Sequence, residues 1–196
     1  MRHMTDTRAL KDAGPLGGAR LARLMSVLLL VVATNTGASM ARASERLIFS
    51  ASSEREGNGP AGAMDGDRFG VSPGHAWISG SGSDDGRAWW QVEFPAARRI
   101  GAILQVVGDH EFVLTNAPVA SVWKASEDGV VWRTLEETRV ERDSRLYRVH
   151  RLRSVRLARF VRFEVLGVAG AAAVLREVEF FDDPAAQIAF PDWILA

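Results

Sequence analysis

The chain has 196 residues, no cysteine and a formal charge of zero, so it is neither a disulfide-stapled scaffold nor a strongly basic nucleic-acid binder. The neutrality is an average over two unlike parts. Beyond Ala43 the chain keeps 18 of its 24 basic and 22 of its 24 acidic residues, a net charge near −4, and about 150 residues suffice for one hydrophobic core.

The first part reads as a targeting segment. Arg2, Arg8, Lys11, Arg20 and Arg23 precede the apolar run from Leu24 to Ala33, and a small-residue stretch ends in Ala41-Arg42-Ala43. Basic start, apolar centre and A-x-A site are the order of a secretory signal peptide. The apolar run is shorter than the roughly 20 residues that span a bilayer. Residues 1–43 are therefore expected to be a signal peptide that exports the rest to the periplasm or the medium; an uncleaved anchor would instead hold it at the membrane.

From Glu45 on, short runs rich in branched and aromatic residues alternate with Gly, Asn, Asp and Pro turns, and no helical period intervenes. Strands are predicted at Arg46 to Ser50, Trp89 to Phe94, Ile100 to Val107, Val119 to Ser126, Val130 to Leu135, Tyr147 to Leu152, Arg159 to Val165 and Val174 to Phe181. Eight strands without helices predict an all-β sandwich or jelly roll. Val161, Phe163 and Val165 alternate with Arg162 and Glu164, as a sheet with one buried face requires. Asp128-Gly129 predicts a tight turn that sets Val122-Trp123 beside Val131-Trp132. Trp89 and Trp90 are adjacent on a strand and must face opposite ways, so one of them is core. Trp77, Trp123 and Trp132 are expected to be buried.

Six pieces occur in a fixed order: Ala63-Met-Asp-Gly-Asp67, Trp77 followed by Ser79, Trp90-Gln-Val-Glu-Phe94, Ser126-Glu-Asp-Gly129 with Trp132, Ala158-Arg-Phe-Val-Arg-Phe163, and Leu175-Arg-Glu-Val-Glu-Phe180. In that order they resemble the discoidin domain, also called the coagulation factor V/VIII type C domain, whose relatives include the bacterial family 32 carbohydrate-binding modules. The resemblance covers roughly Leu47 to Phe181. It implies an eight-stranded antiparallel jelly roll of the galactose-binding-domain-like kind over residues 44–183, usually a non-catalytic module attached to another domain. The terminal disulfide of the vertebrate members is absent here, which matches a bacterial type.

The resemblance also implies one structural Ca²⁺, held by Asp65, Asp67 and Glu177 with carbonyls near Gly62 and Arg176. Hard cations take six to eight oxygens, and carboxylates and turn carbonyls supply them. Two departures stand out: the family's Thr falls at His75, and residues 69–74 look like an insertion. The alternative for the same residues is an Asx turn closed by its own hydrogen bonds.

Catalytic signatures are missing. There is no G-x-S-x-G elbow, no P-loop, no H-E-x-x-H and no thiol. His75, His110 and His150 lie far apart in sequence, which leaves only a triad assembled in space. Nine arginines between Arg139 and Arg162 do not keep strict alternation, so most should be solvated or paired with Glu136, Glu137, Glu141 and Glu164; an acidic glycan on this row is the functional alternative.

Together these features point to an exported, non-catalytic module that recognises a glycan or cell-surface polysaccharide, with no nucleic-acid partner. The alternative is a docking domain that packs against a catalytic domain of a larger protein and takes no small ligand. Ligand contacts are expected in loops: His110, Glu111, Phe112 and Asn116 combine carboxylate, imidazole and amide groups with an aromatic ring, and Arg68 with Phe69 forms a second cluster. The tail from Pro184 to Ala196 continues with Ile188, Phe190, Trp193, Ile194 and Leu195 and is expected to be loosely packed, as the start of a further domain would be. Mass spectrometry of the mature protein is expected to place its first residue at Ser44; a membrane-bound product retaining Met1 would establish the anchor.

Overall fold

The computed structural model describes residues 46–70, 73–80, 87–108, 116–143 and 145–190. The signal segment and the Trp193-Ile194 end of the tail lie outside them. The described elements are antiparallel strands and one short 3-10 turn, Pro60–Met64. The strands are β1 (Ile48–Ala51), β2 (Trp77–Ile78), β3 (Trp89–Val107), β4 (Pro118–Ser126), β5 (Arg133–Val140), β6 (Tyr147–Val168) and β7 (Val174–Phe181).

Two of the predicted strand pairs are each one strand. β3 covers 19 residues and β6 covers 22, and they pair with each other from Trp89↔Glu164 to Val106↔Tyr147. The register shifts between Glu93 and Arg98 and again between Ile100 and Ala102. Bulges of this kind bend a ribbon without ending it, which is why turn-like residues in both segments read as breaks. The first half of β3 pairs with β1, and its partner stretch of β6 pairs with β4, which carries β5. The second half of β3 pairs with β7, which carries β2. One continuous ladder thus supplies both layers of the sandwich.

The core lies between the layers. Trp77, Trp90, Trp123 and Phe163 are fully buried, and Val161 and Val165 join Phe163 on the inner face while Arg162 and Glu164 point away, as the alternation predicts. Trp123 on β4 stands edge-on to Trp90 at 6.1 Å and to Phe180 of β7 at 5.8 Å, so it touches both layers. Edge-to-face pairs of this kind add about 0.5–1.5 kcal/mol each beyond the area they bury.

The hairpin differs from its prediction. Trp123 pairs with Leu135, not Val131, and Ala125 pairs with Arg133, so the turn runs from Ser126 to Trp132. The cause is Asp128: its Oδ1 accepts from the backbone N–H groups of Val130 and Val131 at 2.8 Å each, and Ser126 Oγ accepts from Gly129 N. Donors used this way cannot enter a ladder. Gly129 takes the positive φ of 77° that the turn needs. Trp132 is consequently only half-buried, on the outer face rather than in the core.

The tail is docked as far as it is described. Arg151 donates to the carbonyls of Pro184 and Ala186, Arg68 to that of Ala189, and Phe190 stands edge-on to Tyr147 at 6.0 Å. The chain passes close over β3 because position 101 is Gly: a Cβ there would lie 2.5 Å from Pro184 N and 2.6 Å from Asp182 O.

A polar bridge crosses the apolar core. Gln105 Oε1 accepts from Trp123 Nε1 at 2.9 Å and meets His150 Nε2 at 3.1 Å, so the His150 ring carries its proton on Nε2. Burial, reinforced by Arg148 and Arg145, lowers the His150 pKa to about 4, against about 6.5 for the free side chain. Between pH 6.5 and 4 the unfolded chain therefore binds a proton that the folded chain refuses, and stability falls as pH falls through that window. The loss at pH 4 is expected to reach about 3 kcal/mol. Glu177, raised to about 8, has the opposite slope from pH 4.5 to 8, so the His150 contribution is read as a difference: urea unfolding of wild type and His150→Gln is expected to lose less stability in the variant between pH 7 and pH 4.5.

Candidate functional site

The Asp-Gly-Asp turn forms immediately after the 3-10 segment. Gly66 takes φ 87°, Asp67 N donates to Asp65 Oδ1 at 2.8 Å, and Phe69 N donates to Asp67 Oδ1 at 3.0 Å. These are two successive Asx turns. Glu177 reaches the same place from β7: its Oε2 accepts from Gly66 N at 3.3 Å. The carboxyl is buried, 1% exposed, and burial together with the nearby Asp65 charge raises its pKa to about 8. The three residues expected to bind calcium are thus neighbours in space.

Both Asp65 oxygens, Asp67 Oδ1 and Glu177 Oε2 accept hydrogen bonds within the protein. His75 Nδ1 lies 2.7 Å from Asp65 Oδ2 and 3.9 Å from Asp67 Oδ2, so an imidazole stands where the family's hydroxyl would be. Among the described residues no three His, Asp or Glu side chains stand at a spacing that would hold a metal ion. A hard cation would need six to eight oxygens here, and the His75 imidazole takes one side of the Asp65 carboxylate.

Arg68 and Phe69 face the sheet. The Arg68 guanidinium forms a two-pronged pair with Glu179, at Nε–Oε1 and at Nη2–Oε2 (2.7 Å), and Phe69 lies 6.2 Å from Tyr147. The inserted segment after the turn and the tail therefore meet over the same strand ends, β6 and β7. Of the loop between β3 and β4, Asp109, His110, Glu111 and Phe112 lie outside the described residues. Asn116 is inside them. It takes φ 64°, and its Oδ1 accepts from Ala171 N at 3.1 Å and Ala172 N at 3.4 Å; its side chain holds the neighbouring loop in place.

Two features on the other parts of the surface were not singled out in sequence. On the outer face of the first layer Arg162 lies between two indoles, its guanidinium carbon 4.6 Å from the Trp89 centroid and 4.2 Å from that of Trp132, and Gln91 Oε1 accepts from its Nε and Nη2. Glu164 pairs there with Lys124 at 2.8 Å rather than with an arginine. The register places Gln91 directly opposite Arg162, which only the strand pairing reveals. The second feature is a cleft of about 710 Å³ between the Ser126–Trp132 turn and the bend of β6 at Val155–Leu157.

The chain matches the F5/8 type C domain model over residues 48–179. Among solved structures it is similar to the family 32 carbohydrate-binding module of C. perfringens NanJ, in complex with galactose (20% identity, TM-score 0.56, 67% of this chain and 90% of that one). It is likewise similar to a pectin-binding carbohydrate-binding module (21%, 0.54, 76% and 96%), and to chitosan-binding module 1 of a chitosanase/glucanase from Paenibacillus sp. IK-5 (19%, 0.57, 71% and 97%). No curated protein matches. The six ordered motifs, the sandwich they build and the model match agree: the chain belongs to the F5/8 type C, or discoidin, domain family.

Proposed function

We propose that this protein is an exported, non-catalytic carbohydrate-binding module. The observation that carries the reading is the F5/8 type C match across residues 48–179, supported by likeness of fold to modules solved with galactose and named for binding pectin and chitosan. Among the described histidines, His150 is a buried, neutral bridge, so it is not presented to a substrate as a general base.

The loop between Gly108 and Asn116 is the proposed glycan contact. It is bracketed by two left-handed positions, Gly108 at φ 96° and Asn116 at φ 64°, which turn the chain out of β3 and back into β4. His110, Glu111 and Phe112 supply hydrogen-bonding groups and a ring for the apolar face of a sugar. Asn116, Arg68 and Phe69, the other candidate contacts, also hold the surrounding loops. Affinity is expected to be weak, because a shallow site recovers little beyond the cost of immobilising the sugar. A glycan array probed with the chain from Ser44 onward is expected to show binding, and His110→Ala with Phe112→Ala to remove it while the thermal transition stays put. Full binding by that double variant would sink the loop assignment.

The Asp65 turn completes the reading. Its hydrogen bonds come from His75 and backbone N–H groups, which favours a turn closed by the protein's own groups. Binding to the folded state alone would add about 2.7 kcal/mol at a hundredfold excess over Kd, so the melting temperature is expected to be the same in EDTA and in millimolar calcium; a rise of several degrees would show that the carboxylates reorganise around the ion.

A further inference from the structure

The two ends of the sandwich are chemically different. β4 runs nine residues from Pro118, paired with Val168, to Ser126, paired with Phe160; at roughly 3.3 Å per residue the Asn116 loop and the Ser126–Trp132 turn stand some 25 Å apart. The cleft at the second end is lined by Glu127, Val131, Arg133, Thr134, Arg156 and Leu157, among others. It lies at the end of the sandwich away from the proposed glycan loop.

Three observations bear on what this cleft could hold. The first is a pair of arginines without a carboxylate partner, beside the carboxylates of Glu127 and Asp128. Arg68, Arg98, Arg139, Arg145, Arg148 and Arg159 are paired with carboxylates, and Arg162 is held by Gln91 and two indoles. Among the described residues, Arg133 and Arg156 have no such partner. Glu137 feels Arg156 at longer range, and its carboxyl pKa is lowered by its own backbone N–H first and by Arg156 and Arg153 after that. The second is rigidity. Asp128, which also lines the cleft, keeps its charge but has its Oδ1 committed to Val130 N, Val131 N and Ser126 Oγ, so it braces the wall and pairs with neither arginine. The third is exposed apolar surface beside the charges: Val131 is 61% exposed and Leu157 54%. Two free guanidiniums, a free carboxylate on Glu127, the Thr134 hydroxyl and two aliphatic side chains match one ligand chemistry. A saccharide bearing an anionic group offers that group to Arg133 and Arg156 as charge-assisted, two-pronged hydrogen bonds, its hydroxyls to Glu127 and Thr134, and the C–H face of its ring to Val131 and Leu157.

We propose that the cleft between the Ser126–Trp132 turn and the β6 bend is a second saccharide site, specific for sugars carrying a carboxylate or sulfate and anchored by Arg133 and Arg156. The proposal rests on the carbohydrate-binding reading of the module, and goes beyond it in site and in ligand class.

The test uses isothermal titration of the chain from Ser44 onward with three oligosaccharides: an oligogalacturonate, a sulfated galactan fragment and a neutral galacto-oligosaccharide. Wild type is compared with Arg133→Gln/Arg156→Gln and with His110→Ala/Phe112→Ala. Both arginines are exposed, so the first variant is expected to melt with wild type. At least one acidic ligand is expected to bind wild type, to bind the His110/Phe112 variant equally, and to bind the double-arginine variant about tenfold or more weakly, with affinity that falls as salt rises. The acidic arm that binds identifies the source of the charge. Undiminished binding of the acidic ligands by the double-arginine variant would overturn the proposal, as would equal affinity for the neutral oligosaccharide. Binding of the neutral ligand alone would overturn it and leave the carbohydrate reading standing; absence of binding to all three and to a glycan array would remove both.

Discussion

Everything in this sandwich hangs on the antiparallel pairing of β3 with β6. Each strand is longer than one sheet layer is wide, and the pair stays hydrogen-bonded across both layers by shifting register near Glu93–Arg98 and Ile100–Ala102. The shifts convert a ribbon that would otherwise be a long flat hairpin into a bent one. β1, β4 and β5 assemble on one half and β7 and β2 on the other. Because the bend is carried by covalently continuous strands, the two layers cannot slide relative to one another, and Trp123 meets Phe180 and Gln105 in one fixed arrangement. A polar bridge inside an apolar core is costly unless it is satisfied. Trp123 and His150 both meet Gln105 Oε1, while Gln105 Nε2 is buried without a hydrogen-bond partner.

The ends of the sandwich follow from the same constraint. Loops at one end close the long strands through left-handed positions at Gly108 and Asn116, and Arg68, Phe69 at the start of the inserted segment and the tail at Ala189-Phe190 settle on β6 and β7 beside it. At the other end the bends of β3 and β6 and the Asp128-braced turn leave a cleft. Charge is distributed unevenly between them. Most arginines of the row from Arg139 to Arg162 are consumed by local pairs, with Asp143 taking both Arg145 and Arg148 and being held well below the ordinary carboxylate range by them; those at the bend are not.

The chain's own residues determined the all-β class, the order of the motifs and the inward face of Val161, Phe163 and Val165, while the closeness of the Asp65 turn to Glu177 followed only from the family resemblance. Period-two alternation and local turn chemistry are properties of adjacent residues, so they are readable without a structure. Which of Trp89 and Trp90 is buried, the fusion of two predicted strand pairs into β3 and β6, and the outward position of Trp132 were decided only in three dimensions. A bulge looks like a turn in sequence, and a side chain such as Asp128 withdraws backbone donors from a ladder without leaving a mark beyond its own identity. The same holds for charge: that Glu164 belongs to Lys124, Arg162 to Gln91 and two indoles, and Arg133 and Arg156 to none of the described carboxylates depends on cross-strand register, which sets partners dozens of residues apart and is fixed by the packing of the whole sheet.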